Sequence, residues 1–279
     1  MMLSDARPPR VRRFRLGWLP VSLAAAFCAI CLIAALAAPW IAPFDEAEMV
    51  GMPWQPPDAT FWLGTDQLGR DMLTRIIYGA RTSIGLSFAI VTLAFAIGMS
   101  LGLFAVTLGG WVDQLISRAV DLFMSLPPLV LALLAISITG TSLVTLTVIA
   151  ALLAALRVFR LTRSLGLDIA SREFVDVARL RGDSTWSIMR HEILPNAAVP
   201  LIAEFGLRFV FAFLFVASLS FLGLGVQPPT ADWGGMVREN VGAFNYGHMS
   251  PLIPAGFIAL LAISVNLLGD WFVEKRGKM

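Results

Sequence analysis

Five long stretches without a charged residue decide what this chain can become. They are the 29 residues between Arg15 and Asp45, 31 between Arg81 and Asp113, 35 between Asp121 and Arg157, 23 between Arg208 and Asp232, and 30 between Glu239 and Asp270. A helix crosses a bilayer with about 20 apolar residues, whereas a helix buried in a soluble domain needs only about 10–14. Runs of this length predict an all-α, polytopic membrane protein. Composition agrees, because charged residues make up 14% of the 279, against roughly 25% in a soluble domain.

The number of spans follows from the same runs. The stretch after Asp121 is too long for one helix and too short for two with a turn. A third span beginning near Gln114 resolves this. It draws in Arg118 and Asp121, which at i,i+3 can pair, and Pro127-Pro128 kinks it. Six spans result, near 17–41, 83–108, 114–138, 143–162, 197–222 and 251–272. Gly98 and Gly102 stand at a spacing that lets helices approach closely in lipid. The expected organisation is a tail over 1–16, a first span over 17–42, and an outer segment over 43–82. In that outer segment Asp71 and Arg75 stand at i,i+4 on a short amphipathic helix lying at the membrane surface. A five-helix core covers 83–273, with a loop over 166–196 and an outer loop over 223–250, before a tail over 274–279.

Charge placement orients the spans. With both termini inside, 16 of the 21 Lys and Arg fall on the inner side, four (Arg70, Arg75, Arg81, Arg238) on the outer side, and Arg208 within a span. This satisfies the positive-inside rule, which the inverted arrangement violates. The apolar run after the N-terminal arginines is long and lacks a clear small-residue cleavage site, so it is expected to stay as the first span. Cys28 and Cys31 fall inside that span, where neutral thiols favour core packing over redox or metal chemistry.

One segment belongs in water. Ser171 to Asn196, SREFVDVARLRGDSTWSIMRHEILPN, is polar and Arg-rich, and the orientation places it on the cytoplasmic side between the fourth and fifth spans. Helix rules divide it in two. Ser171 can cap a first helix with Glu173 in its first turn and Phe174, Val177 and Ala178 on one face. Gly182 stops that helix, Asp183 or Ser184 starts a second carrying Trp186, Ile188 and Met189, and Pro195 closes the loop. From these residues alone, a connector between spans and a knob offered to another protein are both open.

Other candidates are few. Ionisable residues inside spans are functional suspects, but Arg118 with Asp121 and Glu204 with Arg208 can each be satisfied as neighbours. Asp232 and Trp233 in the second outer loop are candidates for contact with a soluble partner; interface anchoring is the alternative for Trp233. Gly223 and Gly225 read as a turn or close packing at the outer end of the fifth span. His191 and His248 are the only histidines and lie on opposite sides, which excludes a His-based metal site or triad. No G-x-x-x-x-G-K-[ST] loop exists to hold ATP phosphates. The chain is not expected to be an enzyme or to bind a cofactor or metal. A secondary transporter acting alone would call for inverted repeats or charged, discontinuous midplane helices, which the sequence does not clearly display.

The polar segment resembles the cytoplasmic loop of binding-protein-dependent ABC importer permeases, whose pattern is E-A-A-x3-G-x9-I-x-L-P. It falls on Asp176-Val177-Ala178, Gly182 and Leu194-Pro195 with the spacing intact, while Asp176, Val177 and Glu192 depart from the pattern's Glu, Ala and Ile. Further stretches resemble the peptide/nickel branch of that family, second permease subunit. They are Gly64-Thr65-Asp66-Gln67-Leu68-Gly69-Arg70-Asp71, Tyr78 to Ser83, Ser220 to Gly225, Pro228 to Gly234, and Asn266 to Asp270. The resemblance implies a type I importer fold in the inner membrane, paired with a homologous second permease. It also implies two separate ATP-binding subunits that use ATP and Mg, and a periplasmic binding protein that delivers the substrate. The loop, through Glu173, Asp176, Val177, Ala178, Gly182, Trp186, Leu194 and Pro195, would couple ATP hydrolysis to transport. The substrate would be a peptide, or in some systems nickel, glutathione or an opine.

Overall fold

A computed structural model describes residues 18–276, which are helical apart from turns, short loops and a long non-helical segment over 42–71 that holds two isolated β-bridges. The N-terminal arginines and the last three residues lie outside the described range. Helix α1 (Trp18–Ile41) is followed by α2 (Met72–Leu108), α3 (Gly110–Met124), α4 (Pro128–Thr139) and α5 (Leu143–Ala170). Then come α6 (Glu173–Leu180), α7 (Thr185–Ile188), a π-helical turn (Met189–Ile193) and α8 (Leu194–Phe221). The chain ends with α9 (Trp233–Asn240), a 3-10 turn (Val241–Tyr246) and α10 (Leu252–Arg276).

Five helices are long and apolar enough to cross a membrane, and a sixth span is counted if α3 and α4 are one broken span bent by 88°. The expected third span is therefore not a single kinked helix. Pro128 has no N–H to donate, and its ring excludes a preceding helical residue. Ser125 ends α3 and Pro127 adopts an extended ψ of 123° before α4.

The core is built on small residues. Helices α2 and α5 run parallel and approach so closely that a Cβ on Gly98 would lie 2.6 Å from the Ala155 carbonyl oxygen and 2.7 Å from Val158 Cβ. One turn on, a Cβ on Gly102 would lie 2.8 Å from Thr162 Cβ. The Gly98/Gly102 pair thus serves an intramolecular seam, where van der Waals contact and not hydrophobic transfer holds helices together in lipid. Ile90, Val91, Val158 and Val216 fill the space around it. Helix α1 lies against α2 and α10, with Cys31 buried and Cys28 partly buried beside Met72 and Ile76.

Two boundaries differ from expectation. The short amphipathic helix assigned to the outer segment is the beginning of α2, a single helix of 37 residues. Its start is fixed by Asp71, whose carboxylate accepts from Thr74 N at 2.8 Å and Thr74 Oγ1 at 2.7 Å. Asp71 does not pair with Arg75, whose partners are Asp66 and Glu239. The fifth span likewise begins before Ala197, because α7, the π turn and α8 form one helical run from Thr185 to Phe221.

Candidate functional site: a polar knob, a charged cleft and a buried ionic cap

At one end of the bundle α6 and α7 form the expected two-helix knob. Gly182 separates them with a φ of +84°, a left-handed conformation that costs an L side chain roughly 1–2 kcal/mol. Ser184 caps α7 by accepting from Ser187 N at 3.2 Å. Three details correct the sequence reading. Ser171 ends α5 and does not cap α6, its hydroxyl donating to the Asp168 carbonyl at 2.8 Å. Pro195 does not close the loop; it stands inside the continuous helical run, directly after the π turn at the start of α8. The buried face of α6 is Val175 with Ala178, whereas Phe174 and Val177 face outward.

Val175, Ala178, Ile188 and Ile193 dock the knob onto the bundle core. Its outer surface keeps Leu180 at 89% exposure and Trp186 at 66%, with Glu173, Asp176 and Gly182 also exposed. Leu194 is half-buried and Pro195 exposed. Between Ser171 and Asn196 four arginines face four acids. They pair on the surface: Arg179 with Asp176 at 3.0 Å, and Arg181 with Asp183 at 2.9 Å and Glu192 at 3.5 Å. Such exposed pairs contribute about 0–1 kcal/mol each. The knob is charge-balanced, and on its polar surface Leu180 and Trp186 stand out as exposed apolar groups.

Within the bundle, Glu204 and Arg208 pair as expected. Arg118 and Asp121 do not, since Asp121 faces Arg160 at 4.0 Å across to α5. The tighter tie between α3 and α5 is Asp113 with Arg163, two hydrogen bonds of 2.5 Å. Arg157 and Arg208 line one cleft of about 340 Å³ between α2, α4, α5 and α8.

The opposite end holds the residues that sequence reading missed. Asp66 Oδ2 accepts from Arg70 Nε at 2.6 Å and Arg75 Nη1 at 2.5 Å, and Glu239 Oε2 accepts from Arg70 Nη2 at 2.8 Å and Arg75 Nη1 at 2.6 Å. All four side chains are buried or nearly so, Arg75 to 1% exposure. Two cations and two anions balance, which is the condition for burying charge. Beside them Asp232 is not available for contact. It caps α9 by accepting from Gly235 N at 2.9 Å, and it accepts from Ser83 Oγ at 2.8 Å. Burial pushes its carboxyl pKa up, against the lowering effect of these hydrogen bonds. Trp233 is buried too, its Nε1 donating to the Ile76 carbonyl at 2.9 Å. Neither residue offers a surface to a soluble partner, because both side chains are buried, at 2% and 1% exposure, and hydrogen-bonded to α2. Glu46 joins the assembly by accepting from Ala231 N at 2.9 Å. The signal for this cap was present in the 64–71 and 228–234 stretches, although nothing local pairs them.

Comparison with known proteins gives these elements a context. Residues 94–276 match the family described as binding-protein-dependent transport system inner membrane component. The chain is 38% identical over 216 residues to a dipeptide transport system permease protein of Alkalihalophilus pseudofirmus, covering 77% of this chain and 71% of that protein. Against a di/tripeptide transport system permease protein of Pseudomonas aeruginosa the identity is 37% over 251 residues, covering 88% and 83%. A glutathione transport system permease protein of Pectobacterium atrosepticum is 32% identical over 253 residues, covering 90% and 84%. Among solved structures, an amino acid ABC transporter matches with a TM-score of 0.56 at 19% identity, covering 73% of this chain and 94% of that one, a likeness of fold. Long apolar helices, a docked two-helix knob and similarity along most of the chain converge: this protein belongs to the inner-membrane permease components of binding-protein-dependent ABC transport systems, and it is a multi-pass protein of the bacterial inner membrane.

Proposed function

We propose that this chain is one of two permease subunits that together form the pathway of a peptide importer. A periplasmic binding protein delivers the substrate, and two ATP-binding subunits, which hold ATP and Mg, drive transport. The observation that carries the reading is the knob. Leu180 and Trp186 stand in solvent on a charge-balanced surface whose other face is docked on the bundle core. Exposed aromatic anchors of this kind supply most of the energy of a protein interface. The knob lies at the cytoplasmic end in the orientation that puts most cations inside, where it couples to the ATP-binding subunits through the exposed Glu173, Asp176, Val177, Gly182, Trp186 and Pro195, while Ala178, buried, and Leu194, half-buried, seat it on the bundle. The peptide assignment is supported by the dipeptide and di/tripeptide relatives at 37–38% identity.

The test is made on the chain co-purified with its neighbouring permease, ATP-binding and binding-protein subunits. Peptide-loaded binding protein should stimulate ATP hydrolysis and drive uptake into proteoliposomes. Trp186→Ala should abolish that stimulation while leaving the helical content unchanged. Uptake that persists in the absence of the ATP-binding subunits would refute the reading.

A further inference from the structure

The cleft between α2, α4, α5 and α8 has a chemistry that packing does not explain. Its walls are apolar, built from residues such as Ile90, Leu153 and Phe215, yet two guanidinium groups, Arg157 and Arg208, line it. Glu204 neutralises one of them, Arg208, from the neighbouring turn of α8. The Arg208 Nε stays buried without a hydrogen-bond partner, and Arg208 Cζ stands 5.9 Å from the centre of the Phe211 ring. Among the described residues no acid meets Arg157. The cleft therefore carries one uncompensated positive charge on greasy walls.

Depth sharpens the point. Arg157 lies 14 residues from the Leu143 end of α5, and Arg208 lies 13 residues from the Phe221 end of α8. At 1.5 Å per residue both sit about 20 Å in from the capped end. That is midway along both helices, deeper than the inner-side place the charge count gives Arg157, and ionisable residues at such a level are suspects for a solute path. Pro128, at the break between α3 and α4, lines the same cleft. Breaks of this kind are tolerated at membrane depth where they face a cavity. The volume, about 340 Å³, lies at the small end of the roughly 300–1,000 Å³ typical of small-molecule sites.

We propose that Arg157 and Arg208 form a carboxylate-binding station in the pathway, which receives the C-terminal carboxylate of a short peptide. The Arg157 fork takes the carboxylate oxygens in two parallel hydrogen bonds, the Arg208 guanidinium adds its positive charge across the cleft, and the apolar walls take the side chain next to it. This inference rests on the importer reading above.

The test uses the complete transporter in lipid nanodiscs, without binding protein, and radiolabelled Ala-Leu as the probe, with Ala-Leu amide as competitor. Wild type should bind the acid at least tenfold better than the amide, the effect of one charge-assisted hydrogen bond or more. Arg157→Gln and Arg208→Gln should each weaken acid binding about tenfold or more and leave the amide unchanged. Arg157→Lys should keep a preference for the acid. Unchanged acid binding in Arg157→Gln overturns the station while peptide import stands. Equal losses of acid and amide also overturn it, by showing that Arg157 serves assembly with the second permease. A wild-type complex that neither binds nor imports peptides overturns the importer's substrate class and this inference together. If Arg157→Gln does not assemble, an Arg157→Lys complex that binds acid and amide alike overturns the station.

Discussion

The buried cap cluster is the most exposed to experiment. Asp66→Asn preserves shape and removes one of two anions, leaving Arg70 and Arg75 to share Glu239 alone. Both arginines are nearly inaccessible, at 4% and 1% of the side chain, so water cannot replace the lost carboxylate. Breaking a buried pair by removing one partner costs about 3–5 kcal/mol. For a chain near this size 1 kcal/mol moves the unfolding temperature by about 2–4 °C, which predicts a fall of roughly 6–20 °C. The protein carries its own reporters. Cys28 and Cys31 lie against the core in α1, and a thiol-reactive dye that fluoresces on labelling follows their exposure on heating in detergent. Adding Arg75→Gln to Asp66→Asn restores the balance of charge, so the double variant should lose less than the two single losses combined. A shift within about 2 °C for Asp66→Asn, or additive losses in the double variant, would refute the claim that this cluster locks the cap opposite the knob.

Three other outcomes are expected. Gly98→Leu must push its side chain into the Ala155 carbonyl and Val158; overpacking costs about 1–3 kcal/mol, so the unfolding temperature falls, whereas Gly256→Leu, which meets open space, should cost little. Asp232 has its pKa raised by burial, so its contribution to stability is full below its unfolded value of ~3.9 and lost as pH rises through the raised folded value. Asp232→Asn should therefore flatten the decline of unfolding temperature above pH ~4, measured by the loss of helical circular dichroism on heating. Gly182→Val should lower peptide-stimulated ATP hydrolysis severalfold, since the strain of roughly 1–2 kcal/mol at its positive φ reshapes the joint between α6 and α7; equal stimulation in variant and wild type would refute the role of that joint.

Much of the architecture was legible because lipid makes hydropathy decisive. The first, second, fourth, fifth and sixth spans follow from charge-free runs, and the knob from Gly182 and Ser184. What was hidden depended on partners distant in sequence. Arg75 reads locally as the i,i+4 neighbour of Asp71, yet its acids are Asp66 and, 164 residues away, Glu239. Asp232 and Trp233 read as surface groups because loops of that composition usually are exposed, and only the approach of α9 to Ser83 and Ile76 buries them. Pro127-Pro128 announced a bend without stating its size. In α6 the 3.6-residue period allows either Phe174 with Val177 or Val175 with Ala178 to face inward, and contact with the bundle core selects the second.

The continuous run from Thr185 to Phe221 has a mechanical consequence. Its compliance is unevenly distributed. The π turn over Met189–Ile193 and Pro200, which leaves the Asn196 carbonyl without its usual donor, both lie on the knob side of Arg208. From Leu201 onward no proline interrupts the ladder. A force applied at Trp186 is therefore absorbed as flexure over its first few turns and transmitted beyond Leu201 as displacement of a stiff rod. Glu204, Arg208 and Ser218 travel with that rod together, so the α8 wall of the cleft moves as one piece against Arg157 on α5.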